Sequence, residues 1–186
     1  MRTLVLGGIR SGKSRWAEEA IAESVGPGAQ VRYLATGAAA DDASAGSDWS
    51  ARVSAHRQRR PQNWTTTETT DVATELRQFG GTPTLIDDVG NWLTAAMDRR
   101  EAWEHRGPES PVTDDIVDLV SAVGTFGSPL VLVSPEVGLT VVPATASGRR
   151  FADALGTLNQ QLAAACDRVV LVVAGLAIPI KPERTP

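Results

Sequence analysis

Residues 7 to 14 read Gly-Gly-Ile-Arg-Ser-Gly-Lys-Ser, a complete G-x-x-x-x-G-K-S pattern set directly after the apolar run Leu4-Val5-Leu6 and before a helical one. A strand that ends in such a loop and restarts as a helix aims successive backbone N–H groups, and the positive end of the helix dipole, at one point. A chain of phosphates suits that point. Gly7, Gly8 and Gly12 let the backbone close in, and Ile9, Arg10 and Ser11 supply the amides between them. Lys13 is placed to reach the outer phosphates and Ser14 to hold Mg²⁺. The chain has two lysines, Lys13 and Lys181, and one stands where the pattern needs it. Read without its flanks, the segment is a plain Gly/Ser turn; the strand before it and the helix after it favour a nucleoside triphosphate.

At 186 residues the chain is long enough for one α/β domain with a buried sheet and too short for two with a linker, so residues 1–186 are read as one unit. A net charge of -4 offers no long-range attraction to nucleic acid or anionic lipid, which points to a small-molecule partner. The single cysteine, Cys166, excludes an internal disulfide and lies in a small-residue helical stretch, where core packing is its expected role. No run approaches the roughly 18 apolar residues of a membrane span, and the N-terminus enters a strand at once. A cytoplasmic protein without signal peptide or membrane span is the expectation.

Short aliphatic runs predict strands at Arg2 to Leu6, Val31 to Ala35, Thr84 to Ile86, Leu130 to Ser134 and Val169 to Ala174, with Leu176 to Lys181 as an edge strand because of Pro179. Helical patterns fall between them, over Lys13 to Ser24, Ser47 to Arg60, Val72 to Phe79, Asn91 to Trp103, Asp114 to Val123 and Arg150 to Ala165. The alternation predicts right-handed βαβ units, hence a mostly parallel sheet flanked by helices.

Asp87 and Asp88 follow the predicted strand at Thr84. An acid at the carboxyl end of that strand sits beside a metal bound at the phosphate loop, and Asp87 is the candidate. The same pair reads as a helix N-cap, and Asp88 fits that role alone. A third constellation runs from Arg52 to Pro61, where four arginines flank His56. On a helix, Trp49, Val53, His56 and Arg60 share one stripe. A neutral imidazole is a competent nucleophile, and guanidinium groups beside it would hold the phosphates it attacks. Taken alone, these residues read more readily as an amphipathic helix with a structural histidine, its arginines facing solvent. His105 stands in a polar segment and is expected at the surface. Trp16, Trp92 and Trp103 read as core, and Trp64, four residues after Arg60, is placed to line a pocket. Glu136 belongs either at the sheet edge beside the loop or in a capping turn, and Asn159-Gln160-Gln161 reads as a polar helix face.

Together these segments resemble the bifunctional cobinamide kinase and cobinamide-phosphate guanylyltransferase family of cobalamin biosynthesis. The likeness covers nearly the whole chain. It rests on the phosphate loop, on Tyr33-Leu34-Ala35-Thr36, and on Arg52-Val53, His56-Arg57, Arg60-Pro61, Trp64, Thr66 and Glu68. It continues through Val133-Ser134, Glu136-Val137-Gly138, Val142-Pro143, Arg150-Phe151, Asp153, Gly156, Asn159-Gln160, Val172-Val173 and Gly175. The resemblance implies a RecA-like P-loop NTPase fold and a homotrimer. It implies that His56 takes GMP from GTP as a phosphoramidate and passes it to cobinamide phosphate, and that the same protein phosphorylates the corrinoid adenosylcobinamide with ATP or GTP. It further implies nucleotide contacts at Gly7 to Ser14, at Ala35, Thr36 and Gly37, at Arg57, Gln58, Arg59 and Arg60, at Glu68 and at Asp87. A single-activity P-loop kinase and a nucleotide-dependent switch are the competing readings. Against a Ras-like switch, the chain lacks an Asn-Lys-x-Asp guanine-reading motif.

Overall fold

The computed structural model of the chain describes residues 1–37, 60–105, 107 and 110–181. Its frame is β1 (Arg2–Gly7), buried on both sides: Leu4 and Leu6 join one hydrophobic cluster and Val5 the other. Period-2 geometry makes an unbroken apolar run do this only where both faces of a sheet are covered. Parallel neighbours are β5 (Leu130–Pro135) and β6 (Arg168–Val173), with Leu4 opposite Leu132 and Val169. The remaining strands are β2 (Arg32–Ala35), β3 (Thr65–Glu68), β4 (Thr84–Asp87) and β7 (Leu176–Lys181). The sheet order is β3-β2-β4-β5-β1-β6-β7, all parallel except β7, which pairs antiparallel with β6.

One face carries α1 (Lys13–Val25), whose Ala17 and Ile21 pack with Val5, Tyr33, Leu85, Val131 and Val133. Against the other face lie α2 (Val72–Gln78), α3 (Val89–Arg99), α4 (Thr113–Thr125) and α5 (Ala146–Ala165), closing over Leu4, Leu34, Ile86, Leu130 and Leu132. This is the expected P-loop type of α/β architecture, and the edge position of Pro179 in β7 is as the sequence predicts. Lys181, just after that proline, donates to the carbonyls of Ala163, Ala164 and Cys166, placing a cation on the C-terminal end of α5. Cys166 is buried there, and burial pushes its thiol up to about 12.

Some elements differ from expectation for identifiable reasons. The strand β3, Thr-Thr-Thr-Glu, has no apolar residue and lies on the sheet edge, so no hydrophobic pattern announces it. The predicted helix from Asn91 to Trp103 starts earlier, at Val89, and stops at Arg99. Beyond it Glu101 turns through φ 51° into a separate 3-10 turn, Ala102–Glu104. The last long helix, α5, starts at Ala146, four residues before Arg150, capped by Thr145, whose hydroxyl accepts from the Gly148 N–H at 3.1 Å. The helix predicted over Ser47 to Arg60 falls outside the described residues up to its last member, Arg60. Trp92 is buried. Trp16 packs partly buried on the α1 side, as does Trp64, and Trp103 stacks on Phe151 with ring centroids 6.3 Å apart. His105 is exposed, as expected.

Candidate nucleotide site

Neighbouring strands pin the phosphate loop from two sides. Glu136, the first residue beyond β5, donates its backbone N–H to the Gly7 carbonyl at 3.1 Å, and Gly175 in the β6–β7 turn donates its own to the Ser11 carbonyl at 2.8 Å. Sterics demand glycine at position 7, where a Cβ would stand 2.5 Å from Ser11 Oγ and 2.7 Å from the Val172 carbonyl; position 8 opens into free space. At Gly12 the backbone reaches φ 95° and enters α1 with no side-chain cap. The first amide of α1, that of Lys13, donates to Ser11 Oγ at 3.4 Å, and a helix start of this kind suits an anion. Lys13 folds over this loop, its Nζ donating to the Gly8 carbonyl at 3.3 Å.

Ser14 meets the end of β4. Its Oγ donates to Asp87 Oδ1 at 3.3 Å, while the Tyr33 hydroxyl donates to Asp87 Oδ2 at 2.6 Å. Burial, then the charge of Asp87, pushes the Tyr33 pKa up, so the phenol stays a donor. A hydroxyl and a carboxylate in contact beside the phosphate loop are hard oxygen donors of the kind Mg²⁺ takes, the remaining positions being filled by phosphate oxygens and water. Among the described residues no group of three or more His, Cys, Asp or Glu forms a self-sufficient cage. The donor set therefore fits a cation that arrives with a nucleotide.

Asp88 goes the other way. Its Oδ1 accepts the Asn91 N–H at 2.7 Å and caps α3, as the sequence suggests. Burial, then the neighbouring charge of Asp87, raises its pKa to about 6, against the pull of Lys13 and of the Asn91 and Gly90 amides. Consecutive acids thus divide the two readings between them: Asp87 faces the loop and Asp88 holds a helix.

Register gathers the other carboxyl-edge residues. Ala35 stands opposite Asp87 on one side and Glu68 on the other. Thr36 donates its backbone N–H to the Asp87 carbonyl at 3.2 Å and its hydroxyl to the Asp88 carbonyl at 2.6 Å, and Gly37 follows in a bend. Arg60 closes the arginine-rich block. Its guanidinium lies 3.2 Å from the Tyr33 ring centroid and its Nη1 donates to Thr66 Oγ1 at 3.0 Å; Glu18 Oε1 is 3.8 Å from its Nε. The side chain is 7% exposed, so the end of that block is anchored on the partner of the Asp87 carboxylate. His56, Arg57, Gln58 and Arg59 lie outside the described residues.

Three contributors were not among the expected site residues. Tyr33 reads in the sequence only as part of a strand, although it is the chain's one tyrosine. Asn159 is buried, accepting from Ser134 Oγ at 2.6 Å and donating to the Pro135 carbonyl at 3.0 Å, which locks the end of β5 where Glu136 departs. Its spacing from the buried Leu155 and Leu162 already places it on the core stripe of α5. Gly175 braces the loop as described. Glu136 proves to be a sheet-edge residue whose carboxylate closes its own turn on the Gly138 N–H at 2.6 Å. A cavity of about 300 Å³ opens elsewhere, between α3, α4 and α5, lined among others by His105, Arg150, Asp153 and Gln161. None of its residues belongs to the phosphate loop or to the acids at the end of β4.

Residues 3–180 match the family model described as cobinamide kinase / cobinamide phosphate guanyltransferase. The chain belongs to this family. It is 37% identical to the bifunctional adenosylcobalamin biosynthesis protein CobU of Escherichia coli (strain K12), over 97% of this chain and 100% of that one. With the bifunctional adenosylcobalamin biosynthesis protein CobP of Pseudomonas aeruginosa it shares 38% identity over 98% of this chain and 99% of that one. Among solved structures, the P4 protein from bacteriophage phi6 in complex with ADP superimposes with a TM-score of 0.44 at 16% identity, covering 95% of this chain and 53% of that one. Membership over residues 3–180 makes the chain an enzyme of cobalamin biosynthesis, with cobinamide kinase and cobinamide-phosphate guanylyltransferase as its paired activities. Among the described residues no helix is long and apolar enough to cross a membrane.

Proposed function

We propose that one nucleotide site serves both reactions. In the kinase step, ATP or GTP gives its terminal phosphoryl group to the aminopropanol hydroxyl of adenosylcobinamide. In the transfer step an imidazole nitrogen of His56 attacks the α-phosphorus of GTP. A P–N bond forms, the bond to the bridging oxygen breaks, pyrophosphate leaves and the imidazole proton passes to solvent. Cobinamide phosphate then takes the GMP and frees the histidine. Mg²⁺ arriving with the nucleotide supplies charge neutralisation at the phosphates. Ser14 and Asp87 would hold it, Lys13 and the loop amides would grip the phosphates, and Arg57, Gln58 and Arg59 would meet the nucleotide beside His56. Ala35, Thr36, Gly37 and Glu68 would complete the contacts along the carboxyl edge. A homotrimer in the cytoplasm is the setting that the family resemblance implies.

The observation that carries this reading is the chain of contacts from Ser14 through Asp87 and Tyr33 to Arg60, which joins the end of the His56 block to the loop and its acid. The test is incubation with Mg²⁺ and GTP labelled at the α-phosphate. An acid-labile, alkali-stable protein adduct is expected, absent in His56→Ala and falling as pH drops below the imidazole range of about 6.5. Labelling that persists in His56→Ala would refute the nucleophile assignment.

A further inference from the structure

The loop between β5 and α5 stands on the phosphate loop at one end and is tied to α5 at the other. Glu136 bonds to Gly7 at the near end. At the far end Arg149 Nη1 donates to the carbonyls of Pro143 and Ala144 at 2.9 and 2.8 Å, and Thr145 caps the helix. Between these ties the chain displays large aliphatic side chains to solvent: Leu139 is 78% exposed, Val141 89% and Val142 72%. Ile9, at the tip of the phosphate loop itself, is 89% exposed. Fixed ends and bare apolar side chains are a costly combination unless something covers them.

The phosphates of a nucleotide would be met by amides, Lys13 and Ser14 and not by aliphatic side chains. The second substrate has a use for them. Its hydroxyl, and later its phosphate, must come to the phosphorus at this same sheet edge, and a corrinoid is a broad macrocycle fringed with methyl groups and primary amides. Resting on the family reaction above, we propose that Leu139, Val141 and Val142, continued by Ile9, form the apolar rim on which the corrinoid ring packs while its aminopropanol arm reaches the bound phosphates. The backbone carbonyls and amides of the same loop would meet the amide arms. Because the ring is wide and the arm long, packing at the rim sets the position of the acceptor without touching the nucleotide.

The experiment uses the full chain carrying Leu139→Ser, Val141→Ser and Val142→Ser together, and a second variant with Val141→Ser alone. All three side chains are exposed, so an unchanged thermal transition and unchanged GDP affinity in Mg²⁺ serve as the folding controls. Calorimetric titration with adenosylcobinamide, with GDP and Mg²⁺ present, is expected to show affinity falling tenfold or more in the triple variant and less in the single one. In turnover assays KM for cobinamide rises while KM for GTP stays put. Unchanged corrinoid affinity in the triple variant overturns the rim, as does a loss of self-association in that variant with corrinoid affinity intact, which assigns the patch to a second copy. If the unsubstituted chain binds cobinamide without phosphorylating it, the kinase reading fails and the titration still decides the rim.

Discussion

Asp88→Asn tests the electrostatics of the carboxyl edge most sharply, because it removes a charge and keeps a cap. Asp88 sits half-buried beside Asp87, and desolvation, then the charge of Asp87, raises its pKa to about 6 from an ordinary value of 3.8. The native protein therefore holds this proton over a range, about pH 4 to 6, in which the unfolded chain has released it. Stability must fall as pH rises through that window and stay low above it. A gap of about two pH units at roughly 1.4 kcal/mol each makes the penalty about 3 kcal/mol at neutral pH. Asparagine is neutral throughout, and its oxygen can still accept the Asn91 N–H that now goes to Asp88 Oδ1. The variant should equal the unsubstituted chain near pH 4 and exceed it by up to about 3 kcal/mol at pH 7.5. Urea unfolding of both proteins without nucleotide or metal, at pH 4, 5, 6 and 7.5, reads this difference. Titrating groups that do not touch Asp88 cancel in it. Asp167, held down to about 2 first by its hydrogen bond with Arg2, adds stability above the ordinary carboxylate range and loses it as pH falls, equally in both proteins. A stability difference that stays flat with pH, or one that shrinks towards neutrality, would refute the reasoning.

Tyr33→Phe should keep the ring under Arg60 and delete the 2.6 Å bond to Asp87. A hydrogen bond to a charged group is worth roughly 1.5–3 kcal/mol, so both half-reactions should slow by about tenfold or more and need more Mg²⁺. Separate assays of each step with Mg²⁺ titration check this, and a loss confined to one step would contradict a shared carboxylate. Asn159→Ala should strand the buried Ser134 hydroxyl and the Pro135 carbonyl. The expected cost is about 2 kcal/mol in urea unfolding, and a neutral result would mean that Asn159 does not hold the end of β5.

What could be read from the chain alone follows from what periodicity and motif can encode. Leu4-Val5-Leu6 and Val131-Leu132-Val133 are apolar on both faces, so their burial between helix layers was foreseeable from order and composition. The phosphate loop carried its own context. Asp87 was legible once that loop required an acid opposite it. Tyr33 was not, because its hydroxyl reaches Asp87 only when β2 lies next to β4, and strand order is not written in any local pattern. Nor was β3, whose threonines satisfy a backbone ladder and bury nothing. The Asn159 bond to Ser134 pairs residues 25 apart, and only the packing of α5 on β5 brings them together.

The arrangement at the end of β4 explains why a protein would keep an acid that weakens it. Asp87 and Asp88 place two carboxylates on consecutive residues, and desolvation lifts the pKa of the second to about 6. The charge of Asp87 is the second cause of that rise, and the pull of Lys13, whose side chain folds over the loop, offsets it only in part. A divalent ion bound at Ser14 and Asp87 would offset more of it, and part of the repulsion stored in the free protein would return as affinity for the metal-bound nucleotide. Stability lost at neutral pH and readiness to accept a cation would then be two readings of one electrostatic field. The helix cap on α3 keeps Asp88 in that field, since the bond from the Asn91 N–H fixes the half-buried carboxylate beside Asp87.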